Sequence, residues 1–90
     1  MVHYLKTIQP YFRDVWLGLK TFEVRRNDRN YQTGDYLVLQ EYDAERAMLT
    51  GEEITVEVKY LLRDEQFCKE GFVVMGIDAF KFQAKSEVEE

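Results

Sequence analysis

Lys20, Glu23 and Arg25 fall within six consecutive positions of the stretch GLKTFEVRRNDR, residues 18–29. If TFEVRR is a strand, Glu23 and Arg25 project from one face, about 6.6 Å apart, two strand rises. Lys20 sits at the corner before that strand and can swing over either. Opposite charges so placed keep one another ionised. An arginine held by a carboxylate presents a rigid fork to a phosphate or a base edge. A glutamate accepts hydrogen bonds from an exocyclic amine or ring N–H, as it does from cytosine. Alternating signs suit a polar ligand carrying both donors and acceptors better than a bare polyanion. Spacing alone is equally met by an exposed strand of ion pairs, and by itself favours that plainer reading. Arg26 and Arg29 follow as rim contacts to phosphate or as solvated charges. Asp28 reads as a turn residue bonded to its own backbone. Lys6, on the first strand, is a further cation for the same cleft.

Composition narrows the partners. The net charge is −5, and residues 1–42 carry +1 against −6 for residues 43–90. Extended phosphate-backbone binding needs many Lys and Arg contacts, which this balance does not supply. A local anion site is within reach; a broad basic surface is not. The single cysteine, Cys68, forms no internal disulfide, and a reducing cytoplasm is the expected setting. No apolar run approaches the ~20 residues of a membrane span. His3 has no second His or Cys beside it, so neither a metal nor another cofactor is expected, and His3 reads as a surface or edge residue. No phosphate-cradling glycine loop and no Ser-His-Asp set appears.

These residues must be positioned by a mostly β framework. HYLKTI (3–8) alternates as a strand and Gln9-Pro10 ends it. Phe12, Val15, Trp16 and Leu19 then recur at helical spacing, which predicts a helix from Pro10 to Leu19 with Gly18 at its end. TFEVRR (21–26), DYLVLQEYD (35–43), ITVEVKYLL (54–62) and FVVMGI (72–77) read as strands. In ITVEVKYLL, Tyr60 shares a face with Ile54, Val56 and Val58. Residues 44–51 read as a loop with a turn at Thr50-Gly51, and Thr33-Gly34-Asp35 as a tight turn. DAFKFQA (78–84) either continues the last strand or adds one, with Phe80 and Phe82 on one face. The connections are too short for repeated helical crossovers. The expected fold is therefore α+β and mainly β: a small, mostly antiparallel barrel with one short helix after the first strand. One domain spans residues 1–84, and KSEVEE leaves an acidic tail at 85–90.

The spacing Gly18-x-Lys20-x-x-Glu23-x-Arg25, following a short helix and entering a strand, resembles the G-x-K-x-x-E-x-R signature of the ASCH domain superfamily. HYLKT, the YF in the helix, GLKTFEVRRNDR, GDYLVLQEYD, the TG pair and GFVVMGI extend the likeness over roughly residues 3–78, close to a small bacterial and phage-associated branch. The resemblance implies a PUA-like β-barrel that binds RNA or a nucleotide in a cleft between helix and barrel. It implies ligand contacts from the signature's Lys20, Glu23 and Arg25 and from Lys6 of the LKT stretch, with Arg26 and Arg29 left as rim contacts or solvated charges, and it reverses the preference that spacing alone gives. One branch of that superfamily implies a different activity, an amidohydrolase acting on acylated cytidine through a lysine, a threonine and a distant glutamate. Lys20 matches that lysine. The threonine position, three residues later, is Glu23 here, while Thr21 adjoins Lys20; Lys20, Glu23 and Thr21 would carry the catalysis. A third possibility is a phage-related interaction module using the acidic second half.

Overall fold

Alternating strand formers build most of the chain, and the helix occupies the one stretch with 3.6-residue periodicity. The computed structural model describes residues 1–79. Its elements are β1 (Val2–Thr7), α1 (Tyr11–Trp16), β2 (Phe22–Arg26), β3 (Tyr36–Asp43), β4 (Met48–Leu62) and β5 (Phe72–Ala79). Asp78 and Ala79 continue β5; Phe80, Phe82 and the stretch expected as a tail at 85–90 lie outside the described residues.

The strands form one sheet, ordered β1-β3-β4-β5-β2 and curled into a half-barrel. β1 runs parallel to β3, because the chain returns through α1 and β2 before entering β3; the other pairings are antiparallel. The sheet is thus mixed, with the antiparallel arrangement dominant. No described helix is long and apolar enough to cross a membrane.

The core lies in the concavity. Leu37 and Leu39 of β3, Ile54, Val56 and Val58 of β4, and Val73 and Met75 of β5 are fully buried there. α1 adds Phe12 and Val15 to the same cluster, with Trp16 packed at its margin. Each such side chain contributes about 1.5–3 kcal/mol of burial free energy.

Four local readings change. The helix is shorter than Pro10–Leu19, because Gly18 takes φ +79° and stops it. Leu19 is consequently 73% exposed and not part of the apolar stripe. Tyr60 leaves the face of Val58, because β4 gains a residue against β5 between Val58 and Tyr60. That bulge turns Tyr60 outward and brings Leu61 against the core. Thr50-Gly51 is not a hairpin turn but an irregularity inside β4, opposite Gln40–Tyr42, with Gly51 at φ +102°. The turn itself is built by Asp43, whose Oδ1 accepts the Glu45 and Arg46 N–H groups.

β1 and β2 are the two edges of the sheet, and the curl brings them within an arginine's reach. Arg25 of β2 donates from Nη1 to the Lys6 carbonyl at 3.1 Å and from Nη2 to the Thr7 hydroxyl at 3.0 Å. Arg29 donates from Nη1 to the Tyr4 carbonyl at 3.0 Å. Guanidinium groups therefore span the opening where a closed barrel would have another ladder. They also occupy carbonyls that an open edge strand would otherwise offer to a foreign strand.

Candidate functional site: a charged hollow between helix and sheet edge

Gly18 is where the site begins. The Leu19 N–H bonds the Asp14 carbonyl at 2.8 Å, and the Gly18 N–H bonds the Val15 carbonyl at 3.0 Å. This Schellman pairing requires a left-handed residue at Gly18. It reverses the chain within two residues and delivers Lys20 to the head of β2. Gln9 supports the helix from the other end: its Oε1 accepts the Arg13 N–H at 3.0 Å while its Nε2 donates to Glu41 at 2.6 Å.

β2 faces the opposite way to an ordinary amphipathic edge strand. Its charged residues, Glu23 and Arg25, point into the half-barrel, while Phe22 and Val24 are half-exposed. The Glu23 side chain is only 3% exposed, and both its oxygens are engaged. Oε2 accepts from Lys20 Nζ at 2.7 Å, and Oε1 accepts from Arg25 Nε at 2.9 Å. Lys20 Nζ also donates to the Phe22 carbonyl at 2.6 Å. A buried carboxylate is tolerated only when paired and hydrogen-bonded, and these two cations meet that condition.

Beside this trio opens a hollow of about 520 Å³, within the size range of small-molecule sites. Lys6, Lys20, Glu23 and Arg25 form its polar side. Ile8, Tyr11, Phe22 and Val24 form an apolar rim. Lys6 Nζ lies 4.8 Å from the centroid of the Tyr42 ring, and Lys20 Nζ lies 4.9 Å from that of Phe22. Such an arrangement can take a ligand with a flat apolar body and an oxygen-rich anionic end.

Residues 2–77 match the model of DUF3850, a domain of unknown function. The chain belongs to the DUF3850 family. Comparison with curated proteins finds no match.

The DUF3850 domain brings together four of the residues singled out by sequence: Lys6, Lys20, Glu23 and Arg25. It does not bring in Arg26, Arg29 or Thr21. Arg26 points outward, its guanidinium 5.0 Å from the centroid of the Phe72 ring. Arg29 holds β1 through the Tyr4 carbonyl and lies 4.0 Å from Asp28. Thr21 is exposed, and its carbonyl accepts the Ile77 N–H.

Sequence reasoning missed Thr7 as the hydroxyl that receives Arg25. It also missed the apolar rim, although the Phe22/Val24 alternation opposite Glu23/Arg25 carried that signal. A second polar cluster in the DUF3850 domain was unforeseen. His3 lies on the edge strand β1 but is buried, with Nε2 2.8 Å from Asp35 Oδ2 and its ring edge-on to the buried Tyr31. Asp35 also accepts the Gln32 N–H at 3.0 Å and the N-terminal ammonium at 3.1 Å. Burial pulls the Asp35 carboxyl upward, but these hydrogen bonds outweigh it and hold the group below the ordinary 3.8. Burial raises the Tyr31 phenol. Among the described residues no three His, Cys, Asp or Glu side chains gather as a metal site.

Proposed function

We propose that this domain is a PUA-like, ASCH-type binding module that holds a nucleotide-like or RNA-derived ligand in the hollow between α1, the end of β1 and β2. One observation carries the reading: an ammonium, a carboxylate and a guanidinium meet at 2.7 and 2.9 Å on one wall of a hollow large enough for a small ligand. Lys20 and Arg25 retain N–H groups beyond those bonded to Glu23 and face phosphate or carbonyl oxygens of the ligand. Glu23 fixes their direction. Its near-complete burial makes it the group that aims the two cations, with the ligand resting against them. The mostly β half-barrel with one helix after its first strand supports the same reading. A reducing, cytoplasmic setting suits the one thiol, Cys68, which is buried with Sγ 3.2 Å from the Leu62 carbonyl.

The amidohydrolase alternative places catalysis on Lys20 with Thr21 or Glu23 assisting. Thr21 lies outside the hollow, and both Glu23 oxygens are already taken by Lys20 and Arg25. Binding is therefore the preferred reading. Calorimetric titration with ribonucleotides tests it: Lys20→Ala is expected to weaken binding about tenfold or more with the far-ultraviolet spectrum unchanged. Undiminished affinity in that variant places the site elsewhere.

A further inference from the structure

Resting on that nucleotide reading, we infer that the hollow selects a single, terminally phosphorylated mononucleotide over an internal nucleotide of an RNA strand. The first ground is charge. Lys6, Lys20 and Arg25 against Glu23 leave two positive charges on the wall of the hollow. A phosphate monoester carries about −1.5 to −2 at pH 7, so one such group balances the site.

The second ground is how those cations are committed. Lys20 and Arg25 are fixed against Glu23. Lys6 has no carboxylate within salt-bridge distance among the described residues, and its ammonium leans over the Tyr42 ring. Lys6 is thus the least committed cation of the lining, and it meets an arriving phosphate by swinging from the Tyr42 ring, which borders the neighbouring hollow. Arg26 and Arg29, which would extend a phosphate track along β2 and its turn, are engaged with Phe72 and with the Tyr4 carbonyl.

The third ground is the rim. Ile8, Tyr11, Phe22 and Val24 are 44–50% exposed around one opening. Two of them are aromatic, and both rings lie within 6 Å of Lys20 Nζ, at 5.9 and 4.9 Å. A base stacks on such a surface while its phosphate meets the cations.

The fourth ground is what lies beyond. On the far side of Ile8, a second hollow of about 450 Å³ is lined by Glu41, Asp43 and Glu45. Glu41 is held in place there by Gln9 and Thr50 at 2.6 and 2.8 Å. A strand leaving the first hollow past Ile8 carries its next phosphate against these acids. Strand binding needs several phosphate contacts in a row, and the structure supplies one.

The test titrates the full chain with ribonucleoside 5′-monophosphates, the matching nucleosides, inorganic phosphate and a short oligoribonucleotide. The expected result is monophosphate binding about tenfold tighter or more than every other probe. Lys6→Ala should cut the monophosphate's advantage over the nucleoside about tenfold, the rest being held by Lys20 and Arg25, with Lys6→Arg restoring it. Oligoribonucleotide binding tighter than the monophosphate overturns this inference and leaves the nucleotide reading standing. Inorganic phosphate binding as tightly as the monophosphate also overturns it, since the rim then contributes nothing. No binding by any probe removes both the inference and the reading beneath it.

Discussion

Arg25 Nε lies 2.9 Å from Glu23 Oε1, two residues back on the same inward face of β2, while the two terminal nitrogens of the same guanidinium hold the Lys6 carbonyl and the Thr7 hydroxyl of β1. One side chain therefore couples the binding wall to the closure of the sheet. Removing it leaves Glu23 with Lys20 alone and releases the Lys6–Thr7 end of β1, with Arg29 still on the Tyr4 carbonyl. Breaking a buried pair by deleting one partner costs about 3–5 kcal/mol. Arg25 is 23% exposed, so Arg25→Ala is expected at about 3 kcal/mol, the lower end of that range. Arg25→Lys retains the charge without the fork and recovers only part of the loss. Urea denaturation measures both; a change below about 1 kcal/mol for Arg25→Ala, as for an exposed pair, would show that the bridge between edges is dispensable.

Glu23→Gln is expected to unfold the domain more readily, by about 3 kcal/mol, because Lys20 and Arg25 then face each other across a neutral amide. Thermal denaturation checks this. A melting temperature equal to that of the parent chain would mean that water already screens the trio.

Gly18→Ala forces a β-carbon into a φ of +79° at the Schellman turn. No heavy atom lies within 4 Å of that β-carbon, so the strain is backbone strain alone, about 1 kcal/mol. Denaturant titration should show that loss. Because Lys20 follows the turn by two residues, ligand affinity should fall as well; an unchanged affinity would separate the turn from the placement of Lys20.

Asp35 gives the stability a pH dependence of defined sign. Its folded carboxyl titrates below 3.8 while the unfolded chain titrates near that value. The stabilisation is therefore complete above about pH 4 and is lost as pH falls through the folded pKa. Asp35→Asn should be less stable than the parent at pH 7, and the gap should narrow as the pH falls below about 4. Melting temperatures across an acid series test this. A gap that stays constant into strong acid would contradict it.

Much of the frame was legible because alternation is a local signal. Ile54, Val56 and Val58 were put on one apolar face by period alone, and all are in the core. What escaped depended on pairing partners far along the chain. The outward turn of Tyr60 comes from a bulge against β5, which no window around Tyr60 contains. The inward direction of Glu23 and Arg25 defeats the rule that the apolar face of a strand is the buried one. It holds only because Lys20 and Thr7 supply their partners. His3 looked like a surface residue because Asp35, its partner, lies 32 positions away. Strand period put Glu23 and Arg25 on one face and Arg26 on the other, where it meets Phe72, whereas the departure of Arg29 follows from the curl that brings β1 beside β2.

Where a ligand touches the domain decides whether the hollow is its binding site. Two-dimensional amide spectra of the isotopically labelled chain, recorded during titration with a ribonucleoside 5′-monophosphate, address this directly. The shifts should concentrate at Lys6, Thr7, Tyr11 and Lys20 through Arg25. Shifts that gather on the outer face around Tyr60 and Phe72, or the absence of any shift at saturating ligand, would contradict the assignment of the hollow as the binding site.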